Sequence, residues 1–180
     1  MKKLIIAVAI LFSIQASAQF KEVTLQASGL TCAMCSNAIH KALSKLPFAE
    51  TVRANIKESS FTFSFKEGQK VDFDEVKKAV EGAGFSVANM KVKANFNNVS
   101  IANDAHILVD GKNLHFLNVK NQVLNGDQTI QVVDKNFVND KVFKKHAAST
   151  NMECVKTGVM AKCCSSTNAS PGNRVYHVTI

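Results

Sequence analysis

Two cysteines near the start of the chain have a type and spacing that suit metal binding. Cys32 and Cys35 are three residues apart in the loop GLTCAMC of residues 29–35, and a helical pattern of apolar residues begins at Cys35. The partial positive charge at a helix N-terminus favours the thiolate, which is the form of cysteine that binds metal. Two thiolates suit Cu(I) or Hg(II), which accept two soft ligands, whereas Zn(II) normally takes four. The loop therefore predicts a site for a soft metal ion.

The same Cys-x-x-Cys spacing occurs in thiol–disulfide oxidoreductases, which exchange disulfides instead of binding metal. Such an enzyme would be expected to have a tryptophan before the motif and a proline facing it. This chain has no tryptophan, and Pro47 lies at the end of the predicted helix that follows the motif. Metal binding is the favoured interpretation. A thiol–disulfide oxidoreductase that uses this motif and the C-terminal cysteines is the alternative.

A second group of sulfur atoms lies near the C-terminus. Its members fall within thirteen residues and are Met152, Cys154, Met160, Cys163 and Cys164. Thiolate and thioether donors at this density are compatible with a second soft-metal site. A disulfide from Cys154 to Cys163 or Cys164 explains the group equally well, because an exported chain meets oxidising conditions. Both alternatives stay open from the sequence.

The first residues have the layout of a secretory signal peptide. Lys2 and Lys3 precede an apolar run over residues 4–14, and Ala16-Ser17-Ala18 forms a small-residue cleavage site. The run is shorter than the roughly 20 residues that a transmembrane helix needs, and no second run reaches that length. We expect residues 1–18 to be removed and the protein to be exported, so neither an integral membrane protein nor a cytosolic enzyme is expected.

The composition narrows the class of function further. The full chain has 180 residues and a formal net charge of +8; without its first 18 residues it would have 162 and a charge of +6. Its lysines are scattered and form no basic run interleaved with aromatic residues, so no nucleic-acid partner is expected. No glycine-rich phosphate loop, nucleophile elbow or His-Glu-x-x-His motif is present. We therefore expect a binding protein and not an enzyme.

Residues 20–92 alternate between strand and helix patterns. Strands are predicted at residues 20–27, 52–56, 61–65 and 85–92, and helices at residues 35–46 and 73–83. Pro47 is predicted to end the first helix, and Asp72 with Glu75 resembles a capping box that opens the second. The β-α-β-β-α-β order predicts a ferredoxin-like fold of the α+β class for a first domain at residues 19–94.

After a polar joint at residues 95–98, the pattern changes to short strands and turns. Residues 105–117 predict a hairpin about Asp110-Gly111, and Asn125-Gly126 predicts a second hairpin. Residues 138–146 are ambiguous, residues 154–173 are predicted to be irregular, and residues 174–180 predict a final strand. His106 and His115 lie on predicted strands and are expected to be packing or surface residues. Residues 95–180 thus predict a small, mainly-β domain with a Cys/Met-rich C-terminal segment.

Residues 20–93 resemble the heavy-metal-associated domain, the module of copper chaperones, copper-pumping ATPases and the periplasmic mercury-binding protein. The resemblance rests on the GLTCAMC loop, the helix after it, the order of the elements and Gly84-Phe85 before the last strand. It is greatest to the branch of the mercury-binding protein and the copper chaperones, through the export signal and the segments VTLQASGLTC and KALSKL. Residues 95–180 are not placed in any family.

The resemblance implies roles for the residues of the loop. Cys32 and Cys35 would be the metal ligands. Leu30 stands where the family usually has methionine, and its side chain should pack inward. Phe85 resembles an aromatic residue that some branches place near the metal loop. Met34 is expected to be a surface residue of the loop and not a third ligand.

Together these features predict an exported, periplasmic carrier, chaperone or scavenger of soft metal ions. Cu(I) is the expected ion, with Hg(II) or another soft or borderline ion as an alternative. The expected partner is a metal-transporting ATPase or another membrane metal transporter, which would receive the ion by thiolate exchange. A further hypothesis makes residues 95–180 a docking module for that exporter.

Overall fold

The computed structural model describes residues 18–30, 32–164 and 172–180, the side chain of Cys163 excepted. Except for Ala18, the predicted signal peptide lies outside these residues. The strands are β1 (Gln19–Ser28), β2 (Arg53–Asn55), β3 (Ser60–Ser64), β4 (Ser86–Ile101), β5 (His106–Val109), β6 (Lys112–Phe116), β7 (Gln122–Val132) and β8 (Val175–Thr179). The helices are α1 (Ala33–Leu43), α2 (Phe73–Gly82), α3 (Asp140–Ala147) and α4 (Cys154–Thr157), with a 3-10 helix over Lys162–Cys164. Each helix in these described ranges is too short or too polar to cross a membrane.

The first half of the chain has the predicted order of elements. β1 pairs antiparallel with β3 on one side and β4 on the other, and β2 pairs with β3. α2 begins where Asp72 Oδ1 accepts hydrogen bonds from the backbone N–H groups of Asp74, at 2.8 Å, and Glu75, at 3.2 Å. α1 ends at Leu43, before Pro47, because the next residues form tighter i to i−3 turns. The ferredoxin-like β-α-β-β-α-β order is therefore confirmed for this half.

The sheet does not stop at the end of the first half. Its order among the described strands is β2-β3-β1-β4-β7-β8-β6-β5. β4 pairs with β1 as far as Asn95, and with β7 from Met90 to Ile101. The predicted joint at residues 95–98 was wrong, because these residues belong to β4 and Phe96 among them is 1% exposed. The boundary predicted at residue 94 falls inside this strand, and the separate mainly-β domain is not confirmed.

The second predicted hairpin was also wrong. Asn125 and Gly126 lie inside β7, where Gly126 pairs with Phe96 next to a register shift in β4. Gly126 has φ +71 and Asn98, within the shift, has φ +50. Asn-Gly favours positive φ in tight turns, but an irregularity in a ladder uses the same conformational freedom. Gly126 therefore does adopt positive φ, but in an irregular pair of strands and not in a hairpin turn.

The first predicted hairpin and the last predicted strand are present. Asp110 and Gly111 have φ +46 and +72, as a two-residue type I′ turn requires. That turn pairs His106 on β5 with His115 on β6. β8 runs parallel to β6 and pairs His177 with His115. Three histidines therefore lie in a row across β5, β6 and β8, which we call the histidine row (His106, His115 and His177).

Two apolar cores hold the fold together. The larger one runs through both halves of the chain; in it the ring of Phe73 on α2 lies 5.0 Å from the rings of Phe20 and Tyr176. The smaller core lies under the C-terminal segment and contains Leu117, Val133, Cys154, Val155, Met160, Cys164 and Val175. α3 lies in the segment whose pattern was ambiguous. α4 and the 3-10 helix lie in the segment predicted to be irregular, of which residues 165–171 are outside the described ranges.

Candidate metal centre

Cys32 and Cys35 meet at the beginning of α1. Cys32 is the N-cap residue, with extended backbone angles of φ −150° and ψ 161°, and Cys35 lies in the first turn. Their Sγ atoms are 2.7 Å apart, and the backbone N–H of Cys35 points to Cys32 Sγ at 3.4 Å. Cys32 is exposed and Cys35 is half-buried. The helix therefore brings the two thiols into contact at a surface that a partner protein can reach.

The surroundings of Cys32 favour its thiolate. Its contact with the side chain of Cys35 and the hydrogen bond from the Cys35 backbone N–H, in that order, lower the pKa of the Cys32 thiol below its ordinary value. The N-terminus of α1 acts in the same direction, because its unpaired N–H groups carry partial positive charge. The metal-binding form of Cys32 is thus accessible at a lower pH than that of an ordinary cysteine.

This electrostatic setting predicts selective alkylation of Cys32 in the reduced, metal-free chain. We expect iodoacetamide to react first at Cys32, with a midpoint of rate against pH below that of free cysteine. Cys154 and Cys164 are 0% and 2% exposed and should react last, which makes them internal controls. Mass spectrometry of pulse-labelled peptides gives the rate at each cysteine. A midpoint for Cys32 at or above that of free cysteine would contradict the prediction.

Three other residues of the predicted site lie in the loop or beside it. Leu30 and Phe85 are partly buried and pack against the larger core. The Phe85 ring lies beside the loop, since a Cβ atom placed on Gly29 would be 4.0 Å from Phe85 Cδ1. Met34 lies in the first turn of α1 and is 84% exposed. The loop thus has an apolar support beneath it and a methionine at its outer surface.

Four of the five residues in the predicted group of C-terminal sulfur atoms lie in or against the smaller core. Cys154, Met160 and Cys164 are buried in the smaller core, and Met152 packs against it from its edge. The side chain of Cys163 is outside the described part of the structure. The choice between a second metal site and a disulfide in this segment therefore stays a prediction.

Two histidines that the sequence pattern did not identify as ligands contact Cys154. His106 and His115, expected to be ordinary packing or surface residues, are 7% and 0% exposed and face its sulfur. Cys154 Sγ lies 3.8 Å from His106 Nε2 and 3.5 Å from His115 Nδ1, and the three atoms are all within 4.8 Å of one another. The hairpin signal could have found this pair, because a two-residue turn at Asp110-Gly111 places His106 opposite His115.

Burial sets the protonation of these imidazoles. It lowers the pKa of His115 to about 3, with the neighbouring His106 and His177 acting in the same direction, and it lowers the pKa of His106 as well. His115 Nε2 lies 3.2 Å from Asp104 Oδ1, so the neutral ring is assigned its proton on Nε2. His115 Nδ1 then presents a lone pair to Cys154. Neutral imidazole is the form that binds metal.

The N-terminal half of the chain is similar to known proteins. Residues 24–86 match the heavy-metal-associated domain. The chain is 34% identical over 68 residues to a probable copper-exporting P-type ATPase of Archaeoglobus fulgidus, a match that covers 38% of this chain and only 8% of the ATPase. It is 30% identical over 63 residues to the copper chaperone CopZ of Staphylococcus epidermidis, which covers 35% of this chain and 91% of CopZ.

Part of the chain is also similar to a solved structure. Oxidised MerP from Ralstonia metallidurans CH34 is 28% identical and covers 38% of this chain and 96% of its own, with a TM-score of 0.34. The matched residues 24–86 include the loop with Cys32 and Cys35, both helices of the first half and the start of β4. Through this segment, the chain belongs to the heavy-metal-associated domain family.

Proposed function

We propose that this protein is an exported carrier of soft metal ions, principally Cu(I), which it holds between Cys32 and Cys35. The observation that carries the proposal is the contact of the two sulfur atoms, 2.7 Å apart, at the exposed beginning of α1. Two soft thiolates are the donors that Cu(I) prefers, and Hg(II) is the second ion that this pair would accept. Export is the part of the proposal that rests on residues 1–18, and the periplasm as its destination rests on the resemblance to the mercury-binding branch of the family.

The exposure of the loop supports transfer of the ion to another protein. A metal ion held by two sulfur atoms at the surface can bind a thiolate of a partner protein while it is still bound to Cys32 and Cys35. One bond to the carrier breaks after the bond to the incoming sulfur has formed, so no free ion is released. Because one relative is named a copper-exporting P-type ATPase and another a copper chaperone, we propose a metal-transporting ATPase as the partner.

A thiol–disulfide oxidoreductase is the second candidate function. The contact between the two sulfurs favours it too, because a pair this close can also form a disulfide. The two candidates differ in the group that they transfer: a carrier passes an ion between thiolates, and an oxidoreductase passes two electrons.

An anaerobic titration of the reduced chain, residues 19–180, distinguishes these candidates. For a carrier, we expect tight binding of Cu(I) in competition with a colorimetric chelator, rapid release to a second thiol protein, and no acceleration of insulin reduction. Titration with Hg(II) under the same conditions ranks the two ions. Reduced protein without Cu(I) affinity would exclude the carrier, and rapid insulin reduction would support the oxidoreductase.

The hypothesis that residues 95–180 dock on an exporter needs a test other than truncation. A cut at residue 95 would divide β4 and remove β7, its partner strand. Loss of transfer in such a fragment would then report damage to the fold. Substitution of exposed apolar residues in the second half is the cleaner test, and Leu108 and Val123, 62% and 59% exposed, are available for it.

A further inference from the structure

We propose that His106, His115 and Cys154 bind a second metal ion, a buried Cu(I), in the half of the chain that the family match does not cover. The proposal goes beyond the carrier function, since it involves neither Cys32 nor Cys35. The three residues come from β5, β6 and the start of α4. An ion bound by them would therefore join the C-terminal segment to the sheet.

The two nitrogen-to-sulfur distances are those of a three-coordinate site. Metal bonds of about 2.0–2.1 Å to histidine nitrogen and 2.3 Å to cysteine sulfur, arranged trigonally, separate nitrogen from sulfur by about 3.7 Å. Cys154 Sγ is 3.8 Å from His106 Nε2 and 3.5 Å from His115 Nδ1. A small ion thus fits among these atoms once the two imidazole rings, which stack with an interplanar angle of 14°, tilt so that both lone pairs point to it.

The histidine row holds the two imidazoles in place. His106 and His115 are cross-strand partners whose rings stack at 4.1 Å with an interplanar angle of 14°. Asp104 accepts a hydrogen bond from His115 Nε2 and so directs Nδ1 toward Cys154. A carboxylate on the second nitrogen of a histidine is the usual support of a metal ligand. His177 contacts the other side of His115, with ring centroids 5.1 Å apart, and is itself hydrogen-bonded to Asp134.

The charge of the three donors favours Cu(I) over Zn(II) at this site. Two neutral imidazoles and one thiolate carry a total charge of −1, which Cu(I) neutralises and Zn(II) would overcompensate. Burial of a net charge is costly, and His115 and Cys154 are both 0% exposed.

Burial also separates the role of this site from that of the surface loop. A partner thiolate can reach Cys32 but not Cys154, so the buried ion would exchange slowly. Because its ligands lie on separate elements, bound Cu(I) should stabilise the packing of α4 against the β5–β6 hairpin. The second site is therefore a resident, stabilising site and not a second point of transfer.

The test uses the reduced chain, residues 19–180, with Cys32→Ser and Cys35→Ser, so that the surface pair is absent. Anaerobic titration with Cu(I) against a chelator should show one equivalent bound and a rise in melting temperature. Adding Cys154→Ser or His106→Gln should weaken that binding by at least 100-fold. His40→Gln is the matched control, because His40 is a partly buried histidine of the first half that contacts the Val52 carbonyl instead.

X-ray absorption of the copper-loaded double variant requires no further substitution in the buried site. We expect scattering from two imidazole nitrogens and one sulfur. Sulfur scattering alone would overturn the assignment of the histidines, and tighter binding of Zn(II) than of Cu(I) would overturn that of the metal. A double variant that binds no copper would overturn the site itself. If the carrier proposal fails and the buried site exists, the native chain binds one equivalent of Cu(I), the same number as the double variant.

Discussion

Replacement of both Cys32 and Cys35 by serine is expected to remove the Cu(I) that exchanges rapidly with external thiols. A serine hydroxyl is a hard donor that stays protonated at neutral pH, so the affinity of the surface loop should fall by several orders of magnitude. The fold should survive, because serine is among the preferred N-cap residues and Cys32 is the N-cap of α1. Competition against a chelator, followed over seconds, measures the rapidly exchanging copper, and circular dichroism checks the helices.

Met34→Ala is the matched control for this prediction. Met34 lies between the two cysteines and also has a sulfur atom, but 84% of it is exposed and it is not expected to be a ligand. Its removal should leave the rapidly exchanging copper unchanged. If the double serine variant still exchanged copper rapidly, or if Met34→Ala lost it, Cys32 and Cys35 would not be the sufficient ligand pair.

The elements of the first half could be predicted because their signals are local. The apolar spacing after Cys35, the cap at Asp72 and the alternation of Phe61 and Phe63 each describe a few neighbouring residues. Such signals decide whether a segment is a helix or a strand with little help from distant residues. The β-α-β-β-α-β order followed from them. The end of α1 did not, because turns after Leu43 end the helix before Pro47 can.

The extent of β4 could not be predicted because its second half depends on a distant partner. Residues 95–98 are mostly asparagine, which disfavours strands when the segment is considered alone. Asn95 and Phe96 pair with β7, Asn97 and Asn98 lie in the register shift that follows, and the single Phe96 supplies the buried side chain. Asn125-Gly126 was misassigned for the same reason, since its setting depends on residues that lie opposite it in another strand.

The two groups of candidate ligands differ in the same way. Cys32 and Cys35 are near each other in sequence, so the motif alone predicted their contact. Cys154 meets His115 across 39 residues of chain, and no local pattern joins them. The hairpin turn at Asp110-Gly111 fixes the relative positions of His106 and His115. The position of Cys154 depends on how the segment before α4 packs, which the sequence pattern does not specify.

The Asp134→Ala variant is expected to lower the free energy of unfolding by about 3 kcal/mol, which is the largest effect on stability that we predict. The Asp134 side chain is 6% exposed, and its carboxylate accepts hydrogen bonds from Arg174 Nη2 at 2.9 Å, His177 N at 3.3 Å and His177 Nδ1. Alanine would leave the two His177 donors buried without this acceptor and would remove one of the two carboxylates that pair with the partly exposed Arg174. Arg174 would keep its ion pair with Asp74 on α2 and its hydrogen bonds to the carbonyl oxygens of Gly158 and Val175. Urea denaturation of the metal-free chain measures the loss.

Asp127→Ala is the control that separates burial from the number of partners. Asp127 also has three partners, Lys21 Nζ at 2.6 Å, Asn95 Nδ2 at 2.7 Å and Lys93 Nζ at 3.4 Å. The hydrogen bond from Lys21, followed by that from Asn95, lowers the pKa of Asp127 to about 2, so its carboxylate is ionised at neutral pH. Both lysine side chains are 46% exposed, however, and water can replace these contacts, so the loss of stability should be much smaller than for Asp134→Ala. Because the pKa of Asp127 is depressed in the folded chain, its contribution is present above pH 4 and disappears as the pH falls toward 2. Equal losses from the two variants at pH 7 would show that the number of contacts, and not their burial, sets the cost.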